Sequence, residues 1–101
     1  MIARQFKIPD EKIAAFCRRW KVAELSLFGS VLRADFAVGS DVDVLVEFLP
    51  EADWSLYEWV DMGEELTAML GRRVDLVSKR GLRNPFRRRA ILESCEVIYA
   101  A

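Results

Sequence analysis

The sequence predicts an α/β (α+β) domain, a small mixed β-sheet flanked by helices. Three observations carry this. Asp41–Leu49, "DVDVLVEFL", is valine-rich and alternates with the period of a strand, and "RVDLVS" repeats the type later. Between such runs lie segments whose apolar residues fall at helical spacing, so strands alternate with helices. The chain has 101 residues and no repeat, low-complexity tract or linker, which makes residues 1–101 a single domain.

The elements follow in order. Pro9–Trp20 opens with a proline and two acids, a favourable helix start. Its Ile13, Phe16, Cys17 and Trp20 mark one apolar face. "AELSLFG" alternates leucines against Ser26 and predicts a short strand ending at Gly29. Ser30–Ala34 is the start of a short helix, and "FAVGS" is a loop. The Asp41 strand ends at Pro50. Trp54–Leu70 carries Leu56, Trp59, Val60, Leu66, Met69 and Leu70 at helical intervals, with Gly71 as its stop. "RVDLVS" is the next strand and "KRGLRNP" a basic turn. A helix follows from Pro85 to Ser94, and "EVIYA" is a last short strand.

Composition removes several functions. The formal net charge is -1, so no global charge favours nucleic acid or an anionic membrane, and no direct nucleic-acid role is expected. The chain has no apolar run of membrane-spanning length, and its N-terminus lacks the apolar core of a signal peptide. Its two cysteines read as free core residues of a cytoplasmic protein. With no histidine, there is no imidazole base and no Ser-His or Cys-His nucleophile. Chemistry must run on carboxylates, hydroxyls, cationic side chains or a hard metal. Charge is locally uneven. Glu51, Asp53, Glu58, Asp61, Glu64 and Glu65 form a run without a base, and Lys79, Arg80, Arg83, Arg87, Arg88 and Arg89 a run without an acid. The basic run is either a solvated helix face or a surface that meets an acidic partner.

Two aspartates interrupt the apolar Asp41 strand. Side chains alternate between faces, so Asp41 and Asp43 point the same way, with Cα atoms about 6.6 Å apart at the strand rise. Such carboxylates repel unless a cation lies between them. Oxygen-only ligands suit Mg²⁺ or Mn²⁺, and two ions about 3.5–4 Å apart would fit. Glu47 shares the face but lies about 13 Å from Asp43, too far to join. Upstream, Gly29-Ser30 joins a strand to a helix start. Glycine admits a ligand to the backbone, first-turn amides and a serine hydroxyl receive phosphate oxygens, and Arg33 one turn on is either a further phosphate contact or a surface charge. Phosphate beside metal describes a nucleoside triphosphate site. Asp75 also interrupts a valine-rich strand, and a strand pairing with the first would bring three acids together.

These residues carry a resemblance. "GS", ten residues, then "DVD", at Gly29-Ser30 and Asp41-Val42-Asp43, resembles the nucleotidyltransferase signature of the DNA polymerase beta superfamily. "VLVEF" and "RVDLV" fit it too, and the length is similar to that of its minimal nucleotidyltransferases, the branch containing the MntA-type antitoxins. The resemblance runs from about Glu11 to Tyr99.

The resemblance implies a nucleotidyltransferase fold and two Mg²⁺ ions, or Mn²⁺, held by Asp41, Asp43 and Asp75. It implies a triphosphate held by Gly29 and Ser30, with ATP as substrate, and attack of a hydroxyl on the α-phosphate with loss of pyrophosphate. Minimal members pair with a HEPN-domain RNase toxin. The expected function is therefore an antitoxin that transfers AMP to a tyrosine of that toxin. The alternatives are a binding-only antitoxin or a transferase acting on a small molecule such as an aminoglycoside. A domain of this size must take its acceptor from another chain, as a homodimer or as a hetero-oligomer with the toxin. The segments around Trp54–Trp59 and Arg80–Arg89 are the candidate partner surfaces.

Overall fold

The computed structural model describes residues 8–29 and 41–101. Its elements in chain order are α1 (Asp10–Arg19), β1 (Val22–Phe28), β2 (Val42–Phe48), α2 (Leu56–Leu70), β3 (Val74–Ser78), a single 3₁₀ turn (Lys79–Gly81), α3 (Pro85–Ser94) and β4 (Glu96–Ala100). Every helix and strand expected within the described residues is present. The differences are one or two residues at element ends. The helix expected from Trp54 begins at Leu56 because Ser55 caps it: its hydroxyl accepts from the Glu58 amide while the Glu58 carboxylate accepts from the Ser55 amide. Gly71, at φ +68°, closes the same helix in the left-handed conformation. The helix start expected at Ser30–Ala34 and the "FAVGS" loop lie outside the described residues.

The four strands form one mixed sheet in the order β3-β2-β1-β4. β1 runs antiparallel to β2 and to β4, whereas β2 and β3 are parallel, joined through α2 as a βαβ unit. Thr67 ties the end of that crossover to the sheet: its hydroxyl donates to the Gly63 carbonyl and accepts the Val74 amide.

The two faces are built differently. One is packed by α1 and α2 into the main core, where Ile13, Phe16 and Cys17 from α1 and Met62, Leu66 and Leu70 from α2 meet Val22, Leu25, Leu27, Val42, Val44 and Val46. Each such side chain contributes about 1.5–3 kcal/mol on burial. The opposite face carries a smaller cluster of Phe28, Leu45, Leu82 and Ile91, with Val77 and Cys95 against it. α3 therefore covers only part of that face. Leu45, placed by alternation with the aspartates, is 3% exposed because this second cluster receives it.

Candidate active site

The acids sit at one end of the partly covered face. β2 and β3 pair in parallel with Asp43 opposite Asp75, so these two side chains stand in the same row on the same face. Paired strands lie about 4.8 Å apart, which sets two carboxylates side by side. The next row is Leu45 opposite Val77, roofed by the second cluster. Asp43 is half-buried between that apolar roof and the open end, and Asp75 is exposed at the sheet edge.

On the other side of Asp43 lies β1. Phe28 is its antiparallel partner, and Gly29 follows. Gly29 has φ +75°, and a Cβ there would stand 2.2 Å from Asp43 Oδ2. Only a hydrogen fits beneath that carboxylate, and only glycine takes that backbone angle without strain. The turn out of β1 and the acid of β2 are thus built against each other.

Asp41 precedes β2. The ladder at this end is extended by the Val42 amide, which donates to the Arg73 carbonyl at 2.8 Å. The Arg73 side chain stands by Asp41, Nε to Oδ1 at 3.8 Å, with both groups largely in solvent. Arg73 was not singled out by the sequence patterns; its only signal is its place two residues before Asp75. The structure thus brings Asp43 and Asp75 together, with Gly29 against Asp43 and Asp41 just ahead of the same strand. Among the described residues no group of three acidic, histidine or cysteine side chains stands as a ready metal cage. Ser30 and Arg33 lie outside the described residues. Glu47 is held apart, as its spacing requires, in an ion pair with Lys79 at 3.3 Å.

The donor set suits a hard divalent ion: two adjacent carboxylates, a third nearby, and only oxygen ligands. The Asp43 carboxylate occupies the space over Gly29 that a side chain there would need.

The nucleotidyltransferase domain model matches residues 10–98. The chain belongs to the nucleotidyltransferase family. It is accordingly a transferase. A predicted protein adenylyltransferase of Methanocaldococcus jannaschii is 36% identical over 81 residues, 80% of this chain and 79% of that protein. The protein adenylyltransferase MntA of Thermococcus cleftensis is 44% identical over 66 residues, 65% of each chain. Among solved structures, a minimal nucleotidyltransferase superposes with a TM-score of 0.70 at 33% identity, covering 86% of both chains. A chain from the complex of a tri-AMPylated Shewanella oneidensis HEPN toxin with an MNT antitoxin superposes with a TM-score of 0.63. It is 19% identical, and the match covers 91% of this chain and 70% of that one, which speaks to the fold alone. The family's fold is the one described above, a four-stranded mixed sheet with three helices among the described residues. None of those helices is long and apolar enough to cross a membrane.

Proposed function

We propose that this chain is an antitoxin that transfers AMP from ATP to a tyrosine hydroxyl of a cognate HEPN-domain RNase toxin. The observation that carries the reading is the row of Asp43 and Asp75 with Gly29 pressed beneath Asp43. Two carboxylates at this spacing with a close-approach glycine beside them are the parts a metal-bound triphosphate requires. The names of the relatives, protein adenylyltransferases, support the choice of a protein acceptor. The toxin complex among the structural neighbours supports the choice of partner.

In this reading Asp41, Asp43 and Asp75 hold two Mg²⁺ ions, with Mn²⁺ as a substitute. Gly29 and Ser30 receive the triphosphate, and Arg33 adds a charged contact. When bound, the ions neutralise charge on the entering and leaving oxygens. The chain's own residues do the rest. The glycine turn admits the phosphates to backbone amides, and the apolar row of Leu45 and Val77, covered by Leu82 and Ile91, keeps water from one side of the acids. Asp75, exposed at the sheet edge, accepts the proton of the incoming phenol. The phenol oxygen attacks the α-phosphorus in line, a new O–P bond forms, and the bond to the β-phosphate oxygen breaks. Pyrophosphate leaves with that electron pair. The acceptor comes from the partner, a choice that the names of the relatives, protein adenylyltransferases, support.

The test is the intact mass of the HEPN partner after incubation with this chain, ATP and Mg²⁺. One or more AMP additions are expected, absent with Asp41→Ala/Asp43→Ala. A partner silenced without a change in mass would replace transfer by simple masking.

A further inference from the structure

Among the described residues a wide cavity lies away from the acids. It is a groove of about 1020 Å³ at the other end of the sheet, between α2 and the β3–α3 connection. Phe48, in its floor, lies five residues along β2 from Asp43, about 16 Å at the strand rise. None of Gly29, Asp41, Asp43 and Asp75 lines it. One wall is Trp54, Leu56 and Trp59; the facing wall is Lys79, Arg80 and Arg88. The two segments flagged separately in the sequence thus face each other across one cleft.

Both walls are held in place. The Trp54 indole N–H donates to the Trp20 carbonyl at 2.9 Å, and its ring meets Trp20 edge-on at 5.2 Å. Trp59 meets Phe48 edge-on at 6.3 Å. Arg88 Nη1 donates to the Lys79 carbonyl at 3.0 Å, and that bond orients the guanidinium without cancelling its charge. Lys79 is paired with Glu47, whereas Arg80 is exposed. The groove therefore holds net positive charge against a rigid aromatic wall. At its rim Leu56 is 76% exposed, and Tyr57 beside it 85%. Rigid aromatic and arginine groups with apolar neighbours are the composition of protein-binding hot spots. A preorganised wall also lowers the ordering cost of association.

We propose that this groove is where the chain grips its protein partner, through a partner segment carrying a carboxylate beside an apolar side chain. The inference rests on the function proposed above, in that the partner is the HEPN protein. Charge and surface chemistry select the occupant. The cations ask for an anion, and the Trp wall with Leu56 asks for an apolar group next to it. Glu47 in the floor, and the acidic run through α2, would repel the continuous phosphates of a nucleic acid but tolerate one carboxylate. Docking this far from the acids leaves the transfer end open for ATP and the acceptor hydroxyl.

The experiment is calorimetric titration of the purified HEPN partner into the full chain, with Leu56→Asp and Arg80→Glu as variants. Both side chains are exposed, so neither change costs core packing. The stabilisation by Mg-ATP is measured in parallel to show an intact transfer end. Each variant is expected to weaken partner binding at least tenfold and to leave the nucleotide response unchanged. Wild-type affinity in both variants would overturn the groove and leave the transfer reading standing. No complex with the wild-type chain would remove the partner reading and the groove proposal together. A single-stranded oligouridylate that quenches the groove tryptophans and loses affinity in Arg80→Glu would assign the groove to RNA instead. Self-association of the wild type that Leu56→Asp abolishes would assign it to a second copy.

Discussion

Gly29 is the residue on which the site turns. Its left-handed backbone and the 2.2 Å approach that a Cβ would make to Asp43 Oδ2 are two separate reasons why no side chain belongs there. Gly29→Ala should cost about 1–2 kcal/mol of stability from the backbone alone. It should also lower the proposed AMP transfer about a hundredfold by moving the Asp43 carboxylate, since displacements near 1 Å can cost that much. Urea unfolding and a transfer assay on the same preparation separate the two effects. The cysteines make a second contrast. Burial pushes the Cys17 thiol from its ordinary 9.0 up to about 12, against a small opposing effect of the Arg18 charge. The half-buried Cys95 should therefore react with a thiol reagent in the native protein while Cys17 stays silent until unfolding. The sign for stability follows: a raised acid favours folding below its unfolded value. The contribution of Cys17 should be complete below about pH 9 and fall as pH rises toward 12, readable as a declining Tm in Cys17 relative to Cys17→Ala.

At the scale of the element, the ends of α2 and α3 are set by short-range chemistry. Ser55 and Glu58 form a reciprocal box, and the Ser55 amide and hydroxyl hold the Glu58 carboxyl below its ordinary value. That depressed acid supports folding above its unfolded value, and the support is lost as pH falls through the folded one. Ser55→Ala should destabilise the protein by about 1 kcal/mol at neutral pH, measured by urea unfolding, and by less in acid. Asn84 caps α3 through the Phe86 and Arg87 amides, and Pro85 starts the helix with its angle already fitted. Each cap joins neighbours two or three positions apart, yet the apolar period alone placed the start of α2 two residues early, at Trp54. The effect of the caps on function is indirect: α3 must begin where it does for Leu82 and Ile91 to roof Leu45 beside the acids.

For the whole molecule, the parallel pairing of β2 with β3 matters most, since it sets Asp43 beside Asp75. Adjacent carboxylates repel in the free protein and are relieved by a cation, so the fold should gain stability from Mg-ATP that neither component gives alone. At about 100 times Kd the gain should be about 2.7 kcal/mol, read as a rise in Tm, and Asp43→Asn should remove most of it. A rise of equal size in that variant would place nucleotide binding away from these acids. The sheet also separates the two candidate sites by distance. Acids and glycine occupy one end, and the aromatic–cationic groove the other, with α3 laid across the face between them.

The sequence by itself determined the elements seen among the described residues and the apolar faces of α1 and β2; the face of α2 it drew only in part, since Leu66 and Leu70 are buried with Met62 while Leu56 and Val60, expected on that face, are exposed because no sheet residue reaches them. All of these depend on local period, and local period is written in residue order. Asp75 was legible as a charge out of place in an apolar strand, yet its row was not: a shift of one residue in the β2–β3 register would have turned it to the other face. The tertiary structure alone decided that row, the pressure of Gly29 against Asp43, the approach of Arg73 to Asp41, and the facing of Trp54 and Trp59 to Lys79, Arg80 and Arg88. Each joins segments distant in the chain, and such contacts follow from how helices cover a twisted sheet, which no local pattern encodes.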